Sequence, residues 1–267
     1  MKISVDLIKQ LRDRTGAGIG ACKKALTEAD GDVERAYDLI REKGEKTAES
    51  KSSRFVSEGK VAVAQVQDAV AVVVVNCETD FVSKGDKFQK FADDVAQIAL
   101  ENKTTDIEAL LAQDYDGSTV ESARVALVGW VGENIQISSV QYKQHEGSHL
   151  TIYRHGDKIA CGVFTDVDNE AIARDIGMHI VALNPLSILP ENVPSDILER
   201  EKALFAKQTE KMGKPEIAEK IIQGKVSKFL KTVCLLDQDF VKDTSLTVKS
   251  YLAQSNARVI DFIRVEL

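Results

Sequence analysis

The apolar positions change period along the chain. Leu7, Ile8 and Leu11 make a first helical stripe, and the run Thr15-Gly16-Ala17-Gly18-Ile19-Gly20 breaks it. Cys22, Ala25, Leu26 and Ala29 then recur at i, i+3, i+4 and i+7, and Val33, Ala36, Tyr37 and Ile40 repeat the pattern after Asp30-Gly31-Asp32. The spacing predicts three short helices, with Asp32 capping the third and Gly44 ending it. Glu45 to Ser53 is polar and reads as a linker. Residues 1–53 are therefore expected to form a small helical unit whose core is marginal on its own.

From residue 54 the period becomes two. Val61–Val66 and Val70–Val75 flank Gln67-Asp68-Ala69 and predict a hairpin. The second run is nearly all valine, too short for a membrane helix and suited to a strand buried on both faces. It ends at Asn76-Cys77-Glu78-Thr79-Asp80-Phe81-Val82, after which Phe88, Phe91, Ala92, Val95, Ile98 and Ala99 mark a core-facing helix. Asp80 and Phe81 are thus expected on a short strand-to-helix loop. Thr105 with Glu108, and Ser118 with Glu121, have the spacing of capping boxes for two more helices, the second carrying Val120, Ala123, Leu127, Val128 and Val131 on one face.

A hairpin recurs at Leu150–Tyr153 and Ile159–Phe164, followed by a helix with Ile172, Ile176, Ile180 and Leu183 that Asp168 can cap. Hairpin then amphipathic helix, twice over, predicts an α+β core of two related antiparallel-sheet-plus-helix subdomains, 54–145 and 146–267. The second is interrupted at 195–230 by two apolar stripes. One carries Ile197, Leu198, Leu204, Phe205 and Met212, the other Ile217, Ala218, Ile221, Ile222, Val226, Phe229 and Leu230, with Gly213-Lys214-Pro215 between them. That pattern predicts a projecting antiparallel helical hairpin. Val248, Tyr251 and Leu252 suggest a short helix, and Val259 to Leu267 a last strand that returns to a sheet.

Composition narrows the chemistry. The 267 residues are 43% hydrophobic and 29% charged with a net charge of −7, which disfavours nucleic acid as a direct ligand. The opening MKISVDLIKQ has no apolar signal core, and no stretch reaches about 18 consecutive apolar residues, so a cytoplasmic protein without membrane association is expected. Cys22, Cys77, Cys161 and Cys234 form no C-x-x-C pair, so buried reduced thiols are expected and a metal site is not. No P-loop, G-x-G-x-x-G, G-x-S-x-G or H-E-x-x-H motif is present.

Several candidate positions follow. Asp80-Phe81 reads either as an acid capping the next helix beside a core phenyl, or as an exposed wedge with a charged neighbour that enters a partner. Cys77 with a histidine and Asp80 could be drawn as a thiol hydrolase, although a valine run and two acids would raise the thiol pKa. His155 lies in a hairpin turn beside Arg154 and Lys158, and His179 reads as a half-buried histidine with its bonds satisfied. Arg12, Arg14, Lys23 and Lys24 ordinarily belong to solvated helix faces.

Several of these stretches together resemble the bacterial elongation factor Ts family. They are LIKQLRDRTGAGIGACKKALTEADGDVERAYDLIREKG, NCETDFVSKGDKFQKFADDVA, YRHGDKIACGV, IGMHIVALNP, KMGKPEIAEKIIQGKVSKF and DFIRVEL, in the family's order and over essentially the full chain. The resemblance implies a guanine-nucleotide exchange factor for elongation factor Tu, not an enzyme, with no cofactor of its own. It would act on the GDP and magnesium that its partner holds. The first unit would be a ubiquitin-associated-like three-helix bundle docking on the partner's G domain through Arg12, Ile19 and Gly20, where Gly20 supplies no side chain. Thr79, Asp80, Phe81 and Val82 would intrude near the partner's magnesium and phosphate site, and Val131 and His155 would touch the partner as well. A homodimer or 2:2 assembly is left open. Because the chain stops at Leu267, a further C-terminal helix found in the family is expected to be absent or shortened. The rival reading is a bundle on an α+β scaffold that binds another protein without exchanging nucleotide.

Overall fold

Three helices open the chain because each apolar stripe is bracketed by a residue that satisfies or ends a helix terminus. The computed structural model describes residues 3–209 and 215–267. Helix α1 (Val5–Thr15) starts where the Ser4 hydroxyl accepts the Leu7 N–H at 3.2 Å. It stops at Gly16, whose φ of 65° is the left-handed conformation of a glycine cap. Helix α2 spans Ile19–Glu28 and α3 spans Val33–Lys51, the latter capped by the Asp32 carboxylate. Leu11, Cys22, Ala25, Leu26, Ala29 and Ala36 fill the space between them. Gly44 does not end α3. The helix continues through the stretch that reads as a polar linker, because Gly44 is buried and used for close packing.

The same compact unit holds a three-stranded antiparallel sheet, β1 (Glu58–Val66), β2 (Ala69–Cys77) and a later strand, β5 (Ile135–Gln144), in the order β1-β2-β5. The hairpin closes through Gln67 and Asp68 alone, with Val66 paired to Ala69. Every residue of the central β2 is buried, as its valine run predicts. Strand β5 escapes the period-two reading for a physical reason. Its apolar positions are Ile135, Ile137 and Val140, and the change of phase falls where the pairing shifts between Val74 and Val75.

Between β2 and β5 lie α4 (Asp80–Ser83), α5 (Asp86–Glu101), α6 (Ile107–Leu111), the two-residue strands β3 (Asp114–Tyr115) and β4 (Ser118–Thr119), and α7 (Val120–Val131). Helix α5 buries Phe88, Phe91, Ala92, Val95 and Ala99, the stripe expected of it. The caps of α6 and α7 are Asp106 and Thr119, one residue after the predicted Thr105 and Ser118. Gly156–Ile159 and Val265–Leu267 complete this unit.

A second unit comprises His145–His155 and Ala160–Arg264. Strands β6 (His149–His155) and β7 (Ile159–Thr165) form the second hairpin, followed by α8 (Glu170–Leu183), capped by Asn169 and not by Asp168. Helices α9 (Ser195–Thr209) and α10 (Pro215–Val233) pack as a pair. The predicted break at Gly213-Lys214, with Met212 and the side chain of Ile217, lies outside the described residues. Strands β8 (Asp239–Phe240) and β9 (Asp243–Thr247), helix α11 (Val248–Ala253) and strand β10 (Val259–Glu266) follow. The sheet order is β10-β7-β6. In both sheets the strand that follows the helices pairs with the second strand of the hairpin.

In α8, His179 is fully buried and its bonds are satisfied: Nδ1 accepts the Val241 N–H at 3.2 Å, which leaves Nε2–H to donate to Gln238 Oε1 at 2.9 Å.

Candidate functional site

The pairing of Glu58 with Cys77 sets one end of the first sheet, and the chain leaves it as Glu78-Thr79-Asp80-Phe81. This stretch is one helical turn, α4, and not an open loop. Ser83 N–H reaches the Thr79 carbonyl at 3.2 Å and Lys84 N–H the Asp80 carbonyl at 3.1 Å. At its start Thr79 gives both its N–H (3.0 Å) and its hydroxyl (2.7 Å) to the carboxylate of Glu133.

The turn divides its side chains. Val82 packs against the core of the first unit and Ser83 is buried, while Asp80 and Phe81 face outward. Phe81 is 86% exposed, so the core-phenyl reading of this residue fails. Asp80 does not cap α5 either. Gly85 takes that position, and the Asp80 carboxylate pairs with Lys84 Nζ at 2.7 Å. The hydrogen bond and charge of Lys84 hold the Asp80 carboxyl below its usual range, so it is ionised at neutral pH.

Residues that the sequence reading did not single out hold this turn. Asn134 is buried, and its side-chain amide donates to the carbonyls of Arg54 (2.9 Å) and Ser52 (3.3 Å). Its backbone N–H donates to Glu78 at 2.7 Å, and Arg54 pairs with Glu78 at 3.4 Å. Glu133 and Asn134 follow Gly132, whose φ of 77° ends α7. The only sequence signal for them is a polar Gly-Glu-Asn interruption between the apolar runs of α7 and β5.

The glycine loop is tied to the same unit. Lys87 Nζ donates to the Gly16 carbonyl at 3.2 Å and lies 4.2 Å from the Trp130 ring centroid. Ile19 is 60% exposed at the start of α2, Arg12 is exposed in the last turn of α1, and a Cβ built on Gly20 would meet nothing within 4 Å. Val131 is half-buried against the core at the end of α7. His155 belongs to the second unit and is exposed at the end of β6.

Cys77 has no nucleophilic setting. It is buried, its thiol donates to the Thr79 carbonyl at 3.2 Å, and burial followed by the charge of Glu133 pushes its pKa up to about 12. Among the described residues, no three His, Cys, Asp or Glu side chains are gathered closely enough to hold a metal ion. No described helix is long and apolar enough to cross a membrane.

Comparison with known proteins bears on the family of this chain. The sequence model of the family described as elongation factor TS matches residues 78–267. The elongation factor Ts of Thioalkalivibrio sulfidiphilus is 42% identical over 271 aligned positions, covering 100% of this chain and 92% of that protein. The chain belongs to the elongation factor Ts family. The elongation factor Ts of Halorhodospira halophila is likewise 42% identical, with the same coverage, and that of a Psychrobacter species is 43% identical over 268 positions, 100% of this chain and 91% of that protein. Elongation factor Ts is a nucleotide exchange factor for elongation factor Tu in translation elongation and not an enzyme.

Proposed function

We propose that the protein binds elongation factor Tu and promotes GDP release by inserting the Asp80-Phe81 turn near the partner's magnesium and phosphate site. The exposure of Phe81 carries this reading. A phenyl that is 86% exposed, on a turn anchored by the two Thr79–Glu133 bonds, is left uncovered by the described residues and loses little freedom on entering a partner. GDP is held in a G protein by magnesium and by backbone N–H groups around its phosphates. Exchange needs neither nucleophile nor hydrolysis. It needs binding energy that favours the empty partner over the GDP-bound one, and by linkage rebound nucleotide then loosens the exchange factor.

Roles follow residue by residue. Phe81 wedges between partner helices, and Asp80 brings an ionised carboxylate toward the magnesium environment. Its pair with Lys84 is exposed and salt-screened, so it yields readily. Thr79 and Val82 fix the turn from within. Arg12 and Ile19 dock the bundle on the G domain, and Val131 and His155 add further contacts. The shared strand order supports a core of two related subdomains, 54–145 and 146–267, with the bundle 1–53 and the helical pair at 195–230 as additions.

The test is release of a fluorescent GDP analogue from purified elongation factor Tu. Wild type is expected to accelerate release, and Phe81→Ala to lose most of that acceleration with an unchanged circular-dichroism melt. A wild type without effect overturns the function, and a fully active Phe81→Ala overturns the role of the wedge. Light scattering of the complex reads whether it is one-to-one or two-to-two.

A further inference from the structure

Phe81 is not alone in its exposure. Phe55, between α3 and β1, is 85% exposed. Among the described residues it makes no ring contact and belongs to no core cluster. A large apolar side chain left bare on a mobile segment would carry little meaning, but this one is bracketed by β1 and by hydrogen-bonded residues just before it. The Arg54 N–H reaches the Lys51 carbonyl at 2.9 Å, the Arg54 carbonyl accepts from Asn134 at 2.9 Å, and the Ser52 carbonyl accepts from both Asn134 and Gln136.

The fixing groups are shared with Phe81. Asn134 binds the strand of chain before Phe55 through its side chain and Glu78 through its backbone, and Arg54 pairs with the same Glu78. The register says the same thing independently. Glu58 pairs with Cys77, so the segment entering β1 and the segment leaving β2 emerge at one end of the hairpin. Phe55 precedes that pair by three positions and Phe81 follows it by four.

We propose that Phe55 is a second aromatic anchor of the surface that receives elongation factor Tu. The proposal rests on the reading of Phe81 given above and extends it. Continuity with the Phe81 turn, through one buried hydrogen-bonded hub, is what assigns the occupant to the same partner. The two phenyls divide the work. Phe81, beside the acid, sits where it can distinguish the empty partner from the GDP-bound one. Phe55 has a basic neighbour already paired to Glu78 and contributes apolar area to both forms, which is uniform binding and sets affinity rather than release rate.

The experiment measures GDP-analogue release against concentration of the full chain for wild type, Phe55→Ala and Phe81→Ala, with sedimentation of each free protein. Because Phe55 is bare, Phe55→Ala is expected to melt as wild type does. Its half-saturating concentration is expected to rise about tenfold, with the maximal release rate within about twofold of wild type. Phe81→Ala is expected to lower the maximal rate instead. Unchanged half-saturation in Phe55→Ala, while Phe81→Ala is impaired, overturns the anchor and leaves the wedge standing. An unimpaired Phe81→Ala overturns the underlying reading. If Phe55→Ala turns a self-associated chain into a monomer without altering exchange, the occupant is a second copy of this chain, and the proposal is overturned.

Discussion

A Cβ built on Gly129 of α7 would lie 3.2 Å from the Cα of Gly44 in α3, so the two helices meet backbone to backbone at these glycines. Gly44 itself is less constrained. A Cβ there would find the Val125 carbonyl oxygen at 3.6 Å, an ordinary contact. The two positions should therefore respond with opposite sign. Gly129→Leu forces α7 off α3 and is expected to destabilise by about 1–3 kcal/mol. Gly44→Ala keeps the crossing and gains helix propensity, stabilising by about 0.5–1 kcal/mol. Thermal unfolding of the two variants reads this directly. A Gly129→Leu melt equal to wild type would mean that α3 and α7 do not cross as described.

The four cysteines are buried and free, and the two most strongly perturbed, Cys77 and Cys161, have pKa values pushed up to about 12 by burial. At pH 8 the thiolate fraction of such a group is of order 10⁻⁴. Iodoacetamide is expected to leave both unlabelled in the native protein and to label them fully in denaturant, as mass spectrometry would show. Cys77→Ser keeps a donor for the Thr79 carbonyl and is expected to retain nucleotide exchange. Loss of exchange in a folded Cys77→Ser protein would reopen a chemical role for the thiol.

The elements that could be read from sequence were those whose partners lie close along the chain. The stripe of α5, the valine run of β2 and the short hairpin turn depend on neighbours within a few residues. The sequence pattern places helix starts one residue early at Thr105, Ser118 and Asp168, because each is followed by another competent cap, Asp106, Thr119 or Asn169. Composition cannot choose between adjacent caps; the register of the helix on the core does. Gly44 looks like a stop because a glycine that ends a helix and one that packs a helix are alike in one dimension. The support of the Asp80-Phe81 turn was the least legible part. Thr79 finds Glu133 across 54 positions and Arg54 finds Asn134 across 80, and no periodicity encodes such pairs.

His179 predicts an acid sensitivity. Burial lowers its pKa from the ordinary 6.5, with the Gln238 bond opposing in part. Above the ordinary value both folded and unfolded chains hold a neutral imidazole, and pH has no effect through this group. As pH falls below that value the unfolded chain takes up a proton that the folded chain refuses, so stability declines until the lower folded pKa is reached. The melting temperature is expected to fall on acidification from pH 7 to 5, and less steeply in His179→Gln. Equal slopes in the two proteins would show that other groups carry the acid sensitivity.

Gly20 offers a gain of function. It lies in the first turn of α2, beside the exposed Ile19, and a side chain there meets open space. Gly20→Met should therefore act twice. Replacing a helical glycine stabilises α2 by about 0.5–1 kcal/mol and raises the melting temperature. The added apolar surface next to Ile19 should also lower the half-saturating concentration in the GDP-release assay, by roughly fivefold for about 1 kcal/mol of burial. The two effects separate cleanly, because helix propensity acts on folding and is the same in the free and bound folded chain, so it cancels from the half-saturating concentration. A higher melting temperature with unchanged half-saturation would mean that the Ile19 edge of the bundle does not touch the partner, and that docking must be sought on another face of α1 or α2.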